Sequence, residues 1–107
     1  MSQPANTIAT MAEFLRGAVE LHILHHAAEH DVHGAWMSAE LAEHGYRISP
    51  GTLYPTLHRL ERRGLLASRK EVVGGRRRRV YRATPQGRRE LERMRKALRE
   101  LADEVLG

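Results

Sequence analysis

The sequence predicts a mainly α-helical fold with one small β-hairpin, in the order helix, helix, helix, hairpin, helix. Three observations predict it. Apolar residues recur at spacings of three and four in separate stretches. The pattern changes once, to short β-prone runs around Gly74-Gly75. Two helix starts are written as a hydroxyl residue followed by proline, Ser49-Pro50 and Thr84-Pro85. With 107 residues the chain fits one domain, and a chain this small gains from oligomerisation because it buries a modest share of its surface.

Taken in order, residues 1–9, with Pro4, read as a flexible arm. A first helix fits about Met11 to His30, where Phe14, Ala18, Leu21, Leu24 and Ala28 share a face. Asp31-Val32-His33-Gly34 breaks it. A second helix fits Ala35 to His44, with Trp36, Ala39 and Leu41 for packing and Gly45 as its stop. Trp36 is open to two roles, a core anchor or part of a ligand pocket. The third helix starts at Ser49, whose hydroxyl suits the first amides, and Pro50 loses no bond at the first helical position. Leu53, Leu57 and Leu60 are its core stripe, Gly64 ends it, and Pro55 removes one backbone bond near its start.

Leu65–Val73 and Arg78–Ala83 then read as two strands, joined through Gly74-Gly75, with a basic tip at Arg76 to Arg79. In strand register Arg77 and Arg79 point oppositely to Arg76 and Arg78. The last helix, about Pro85 to Leu106, carries Leu91, Met94, Leu98, Leu101 and Val105 at heptad spacing, a seam suited to a second copy of the chain. The expected organisation is an arm (1–9), a winged helix-turn-helix domain (10–84) and a C-terminal dimerisation helix (85–107). In that fold the third helix enters the major groove of DNA and the hairpin touches neighbouring backbone or minor groove.

Charge agrees with this topology. Residues 1–46 hold one arginine and six acids, residues 47–82 hold eleven basic residues and two acids, and residues 83–107 hold six and five. Positive charge therefore sits where a polyanion would release counterions, on the third helix and hairpin. A solvated basic tip is the plainer reading of Arg76–Arg79. Absence of cysteine excludes disulfides and thiolate metal sites and suits the cytoplasm. No apolar run is long enough for a membrane span, and the polar start is unlike a signal peptide. No nucleophile–base pair or phosphate-cradling glycine loop points to an enzyme.

The string SPGTLYPTLHRLERRGLL (Ser49–Leu66), then Gly74-Gly75-Arg76 and VYRATPQGRREL (Val80–Leu91), resembles the PadR family of bacterial transcriptional regulators. Leu15 to Leu24 resembles that family's first helix, and the single C-terminal helix resembles its compact branch. The resemblance implies repression by a homodimer on a palindromic double-stranded DNA operator, released by a ligand or stress signal. It also places Ser49, Pro50, Gly51, Thr52, Tyr54 and Pro55 at the start of the recognition helix. The hydroxyls of Ser49, Thr52 and Tyr54 suit phosphates or base edges, while His58, Arg59 and Arg62 could track the backbone. Tyr54 could equally pack inward, and Ser49 could serve only as a cap.

Two departures from the family pattern are visible: Ala35-Trp36 beyond Gly34, and a run of histidines. His22, His26 and His30 are spaced four apart, so that neighbours could chelate a metal along one helix face. His25, Glu29 and His33 are further possible ligands, and the donor set suits zinc or nickel. Solvent-facing or satisfied histidines are the plainer reading. No cofactor is required by the sequence. The alternatives to a DNA-binding regulator are a metal-binding stress or detoxification protein and a winged-helix module for protein contacts alone.

Overall fold

The structure, a computed structural model, describes the backbone of residues 4–107 and the side chains from Phe14 onward. Its elements are α1 (Pro4–Glu29), β1 (Val32–His33), α2 (Gly34–Glu43), α3 (Pro50–Arg62), β2 (Leu66–Val73), β3 (Arg76–Ala83) and α4 (Pro85–Leu106). The expected helices and hairpin are present. The first helix begins at Pro4 rather than near Met11, so part of the expected arm is helical, and the rest of that arm lies outside the described residues.

A third strand occupies the stretch read as a helix break. Val32 and His33 pair antiparallel with Tyr81 and Val80, giving the sheet order β1-β3-β2. Two residues between two helices carry no alternation that could announce a strand; the edge of β3 recruits them. The hairpin is tight. Gly74 and Gly75, at φ +59° and +77°, make a two-residue turn that only positive φ at both positions closes with the right twist. As a result Arg76–Arg79 belong to β3 itself, opposite Val73, Val72, Glu71 and Lys70, rather than to a loose tip.

The core gathers one stripe from each element: Ile23 and Leu24 of α1, Met37 and Leu41 of α2, Leu53, Leu57 and Leu60 of α3, and Tyr81 of β3, all buried. On α1 the buried stripe is Val19, Ile23, Leu24 and Ala27, one position off the expected one. Of the expected residues only Leu24 is fully buried, while Phe14 is 64% exposed. That second apolar face of α1 lies instead beside α4: Phe14, Ala18 and Leu21 share a shallow groove with Met94 and Leu98. On α2, Ala39 is exposed and Met37 takes the core position. Trp36 is half-buried and packs on the core cluster.

Helix ends are satisfied locally. The amides of Gly64 and Leu65 bond back to Glu61 and Leu60 at 2.9 and 3.0 Å, which closes α3 and turns the chain into β2. Thr84 caps α4 by accepting from Gly87 N at 2.9 Å and donates to the Gly64 carbonyl at 2.6 Å, tying the wing's base to the helix that follows it.

Candidate nucleic-acid interface

Burying Leu53, Thr56, Leu57 and Leu60 leaves one other face of α3 to solvent, and Ser49, Pro50, Gly51, Thr52, Tyr54, Pro55, His58 and Arg62 are all exposed there or at the first turn. Ser49 makes no cap bond, contrary to the expectation; its hydroxyl donates to Thr52 Oγ1 at 3.4 Å. The first turn thus presents two hydroxyls and uncapped backbone at the positive end of the helix dipole, an arrangement suited to phosphate. Arg59, half-buried at the edge of this face, is drawn toward α1. Its Nη2 lies 3.2 Å from Glu20 Oε1, and Arg63 Nη1 lies 3.7 Å from Glu20 Oε2. These pairs dock α3 on α1, and Glu20, 39 residues away from Arg59 in sequence, carried no signal of it.

The wing supplies the second half. Arg76 to Arg79 are exposed and alternate in direction along β3. Arg78 sits opposite Glu71, with Nε 3.6 Å from its carboxylate, and its Nη1 lies 3.0 Å from His33 Nε2. Arg79 donates to Ser68 Oγ at 3.0 Å, and Ser68 in turn donates to Glu61 of α3. This Arg79–Ser68–Glu61 chain fixes the wing against α3. Arg76 and Arg77 have no such partner among the described residues, and Lys70, opposite Arg79, adds a further exposed cation that the sequence pattern did not single out.

Tyr54 is where the two halves meet. It is 43% exposed, yet its ring lies against Gly34, where an added Cβ would stand 2.6 Å from the phenol oxygen. Glycine at the start of α2 is therefore what lets Tyr54 lie flat there. With His33, Val73 and the four wing arginines these residues line a cationic groove of about 390 Å³ between the wing and the α2–α3 unit. Tyr54 thus packs on Gly34 with one side of its ring and leaves the rest exposed.

The histidines fall differently from the expected series. His33 is drawn away as the cap of α2, its Nδ1 accepting from Trp36 N at 3.3 Å. His30 stacks edge-on with Trp36, ring centres 4.8 Å apart, with its Nδ1 3.0 Å from the Asp31 carbonyl. Among the described residues, the donors that converge are those of His25, His26 and Glu29, within 4.8 Å of one another. The fold also adds Glu40 and His44 of α2: Glu40 Oε1 is 3.4 Å from His26 Nε2 and 3.3 Å from His44 Nε2. His22 Nδ1 and His26 Nε2 are buried without a hydrogen bond. Burial first, then neighbouring imidazoles, hold the pKa of both rings below the usual histidine value.

On α4, Leu91 is buried in the protomer's own core, which removes it from the expected seam, and Met94 is half-buried. Leu98, Leu101 and Val105 remain 50%, 54% and 68% exposed.

A helix-turn-helix unit followed by a basic two-stranded wing defines a winged helix-turn-helix protein of the DNA-binding class. Residues 23–93 match the model of the transcriptional regulator PadR-like family, and the chain belongs to that family. It is 69% identical over 97 residues to the transcriptional regulator Rv3488 of Mycobacterium tuberculosis, covering 91% of each chain. Two solved structures share the fold. A PadR family transcriptional regulator from Eggerthella lenta is 34% identical with a TM-score of 0.79, covering 94% of this chain and 90% of that one. A PadR-like transcription factor from Bacteroides fragilis is 26% identical with a TM-score of 0.78, covering 91% and 95%. The expectation of a regulator and not an enzyme stands with this family. No helix among the described residues is long and apolar enough to cross a membrane.

Proposed function

We propose that this protein represses transcription by binding a palindromic DNA operator as a homodimer, and that a small ligand or a metal ion releases it. The observation that carries the DNA reading is the cationic groove that Tyr54, from the exposed start of α3, shares with Arg76 to Arg79 of the wing. Two-fold symmetry of the protein would be mirrored in the operator, with half-sites about 34 Å apart or a multiple of that. The dimer reading rests on Leu98, Leu101 and Val105, exposed in one row along α4, with the Phe14 face of α1 beside it. Selection of bound duplexes from a random pool tests both parts. An inverted repeat should be enriched, and a pool that stays random would leave only non-specific binding.

The release signal is assigned to a transition metal on one observation, the convergence of His25, His26 and Glu29, with His26 Nε2 buried and making no hydrogen bond. Imidazole and carboxylate donors suit zinc or nickel, and the role read for the site is regulatory. Calorimetry with each metal on the wild type and on the double variant His25→Ala/His26→Ala decides it. Saturable heat that the variant lacks supports the assignment; equal heat from both removes it.

A further inference from the structure

His33 meets a hydrogen-bond donor at each of its ring nitrogens. Its Nδ1 accepts from the Trp36 amide at 3.3 Å as the cap of α2, so that nitrogen carries no proton. A neutral imidazole holds a single ring proton, which therefore stands on Nε2. Nε2 lies 3.0 Å from Arg78 Nη1, and a guanidinium only donates. The fold thus sets two N–H groups against each other, and neither serves the other as acceptor.

Both groups line the groove of about 390 Å³ between the wing and the α2–α3 unit, where no carboxylate is found among the described residues. Glu71 meets Arg78 at Nε, 3.6 Å away, and does not line this groove. Gly34 and Ala35 do, so the positive end of α2 adds to the attraction for an anion.

We propose that His33 and Arg78 clamp one backbone phosphate of DNA between them, which makes His33, on β1, a positioning residue for the duplex. The proposal rests on the DNA reading above. The two non-bridging oxygens of a phosphodiester stand about as far apart as the two nitrogens, so each donor takes one oxygen. Opposed donors then become a pair of charge-assisted bonds. A neutral carbonyl would leave the guanidinium charge unmatched, and a cation would be repelled. Because the same ring caps α2, the contact ties one phosphate to the helix-turn-helix unit and to the wing at once. It fixes the angle at which the groove closes on the backbone.

Nitrogen-15 NMR of the imidazoles in the full chain, first without DNA, is the direct test. His33 should be the Nε2-protonated tautomer, and its Nε2–H should shift when duplex DNA is added. The Nδ1-protonated tautomer, or an Nε2–H that duplex leaves in place, overturns the proposal; neither reading needs a variant. Fluorescence anisotropy with a labelled duplex across salt concentrations is the second arm. His33→Asn keeps a side-chain acceptor for the cap, so its melting temperature should match the wild type. Its duplex affinity should fall about tenfold per protomer, the loss of one hydrogen bond to a charged group. The slope of log K against log salt should stay unchanged, because a neutral ring displaces no counterion. Arg78→Gln should weaken binding and also make that slope shallower by about 0.9 per protomer. The double variant should bind little worse than Arg78→Gln, since both donors serve one phosphate. Wild-type affinity in a stably folded His33→Asn, or losses that simply add, overturns the clamp alone. No duplex binding by the wild type refutes the DNA reading instead.

Discussion

Helices α3 and α4 both begin with a hydroxyl residue and a proline, and both carry a leucine stripe at helical spacing, yet their stripes meet different ends. Leu53, Leu57 and Leu60 are each at most 2% exposed, so the apolar face of α3 is satisfied within one chain. The polar face is left free for a partner of opposite charge. On α4 burial fades along the helix, from 2% exposure at Leu91 to 68% at Val105. Its polar face is occupied by local pairs such as Arg93–Glu90 and Arg95–Glu92, and its apolar face is the one left open. The same amphipathic design is thus turned outward by its polar side in one helix and by its apolar side in the other. The difference is supplied by what the rest of the chain can cover: α1, α2 and the sheet enclose α3, and only the start of α4 reaches that core.

The sharpest way to break this comparison is to spoil the open face of α4. Leu98→Asp with Leu101→Asp should yield monomers, and operator affinity should fall by about a hundredfold or more as the two half-sites lose their linkage. Light scattering and a gel shift read both effects; a variant that stays dimeric would return α4's face to the protomer's own packing. The matching change in α3, Leu57→Ala, should act through stability, by about 2–5 kcal/mol for a fully buried leucine. Chemical unfolding measures it, and a loss under about 1 kcal/mol would mean the α3 stripe is less tightly enclosed than its burial indicates.

The polar face of α3 and the wing are probed by charge. Arg76→Ala with Arg77→Ala should weaken binding to all duplexes alike. The slope of log K against log salt should become shallower by about 0.9 for each phosphate that is no longer neutralised. Arg62→Ala should act the same way with a smaller effect. Arg59→Ala should leave the slope nearly unchanged and lower thermal stability instead, because its guanidinium is held by Glu20. Equal salt slopes for Arg59→Ala and Arg62→Ala would erase the distinction drawn between them.

How much of this could be read from the chain depends on the range of the interaction involved. The helices, hairpin and basic segment were legible because spacing, caps and Gly74-Gly75 are local, and so was the apolar row at Leu98, Leu101 and Val105, which is exposed. What failed was set by tertiary contact. β1 exists only because β3 offers it an edge. Arg59 is tied to a glutamate on another helix, and Leu91 is buried by the core beneath it. The histidine series at four-residue spacing was a real pattern, but β1 pulls His33 into a cap and α2 brings Glu40 and His44 to His26. No spacing rule within α1 could reveal that.

The histidines give the smallest expected effect, and it sets the α1–α2 junction against the two helices above. His22 and His26 are half-buried on α1, facing His25, Glu29 and His30 on their own helix and Glu40, His44 and Tyr46 across the junction. Burial and the imidazoles around them hold both pKa values down, and the carboxylates of Glu40 and, at His26, Glu29 oppose this only in part. The unfolded chain has no such restraint, so its histidines take up protons near pH 6.5 while the folded ones stay neutral. Stability from this junction is therefore fully present above that pH. It declines as pH falls from about 6.5 through the lower folded values, because the unfolded state binds more protons. The melting temperature should drop by a few degrees between pH 7.5 and 5.5. His22→Gln with His26→Gln should flatten that slope, since glutamine does not titrate in this range, whereas Arg76→Ala with Arg77→Ala, on the wing, should leave it in place. A melting temperature of the wild type that is level across this interval would show that the two rings protonate as freely in the fold as out of it.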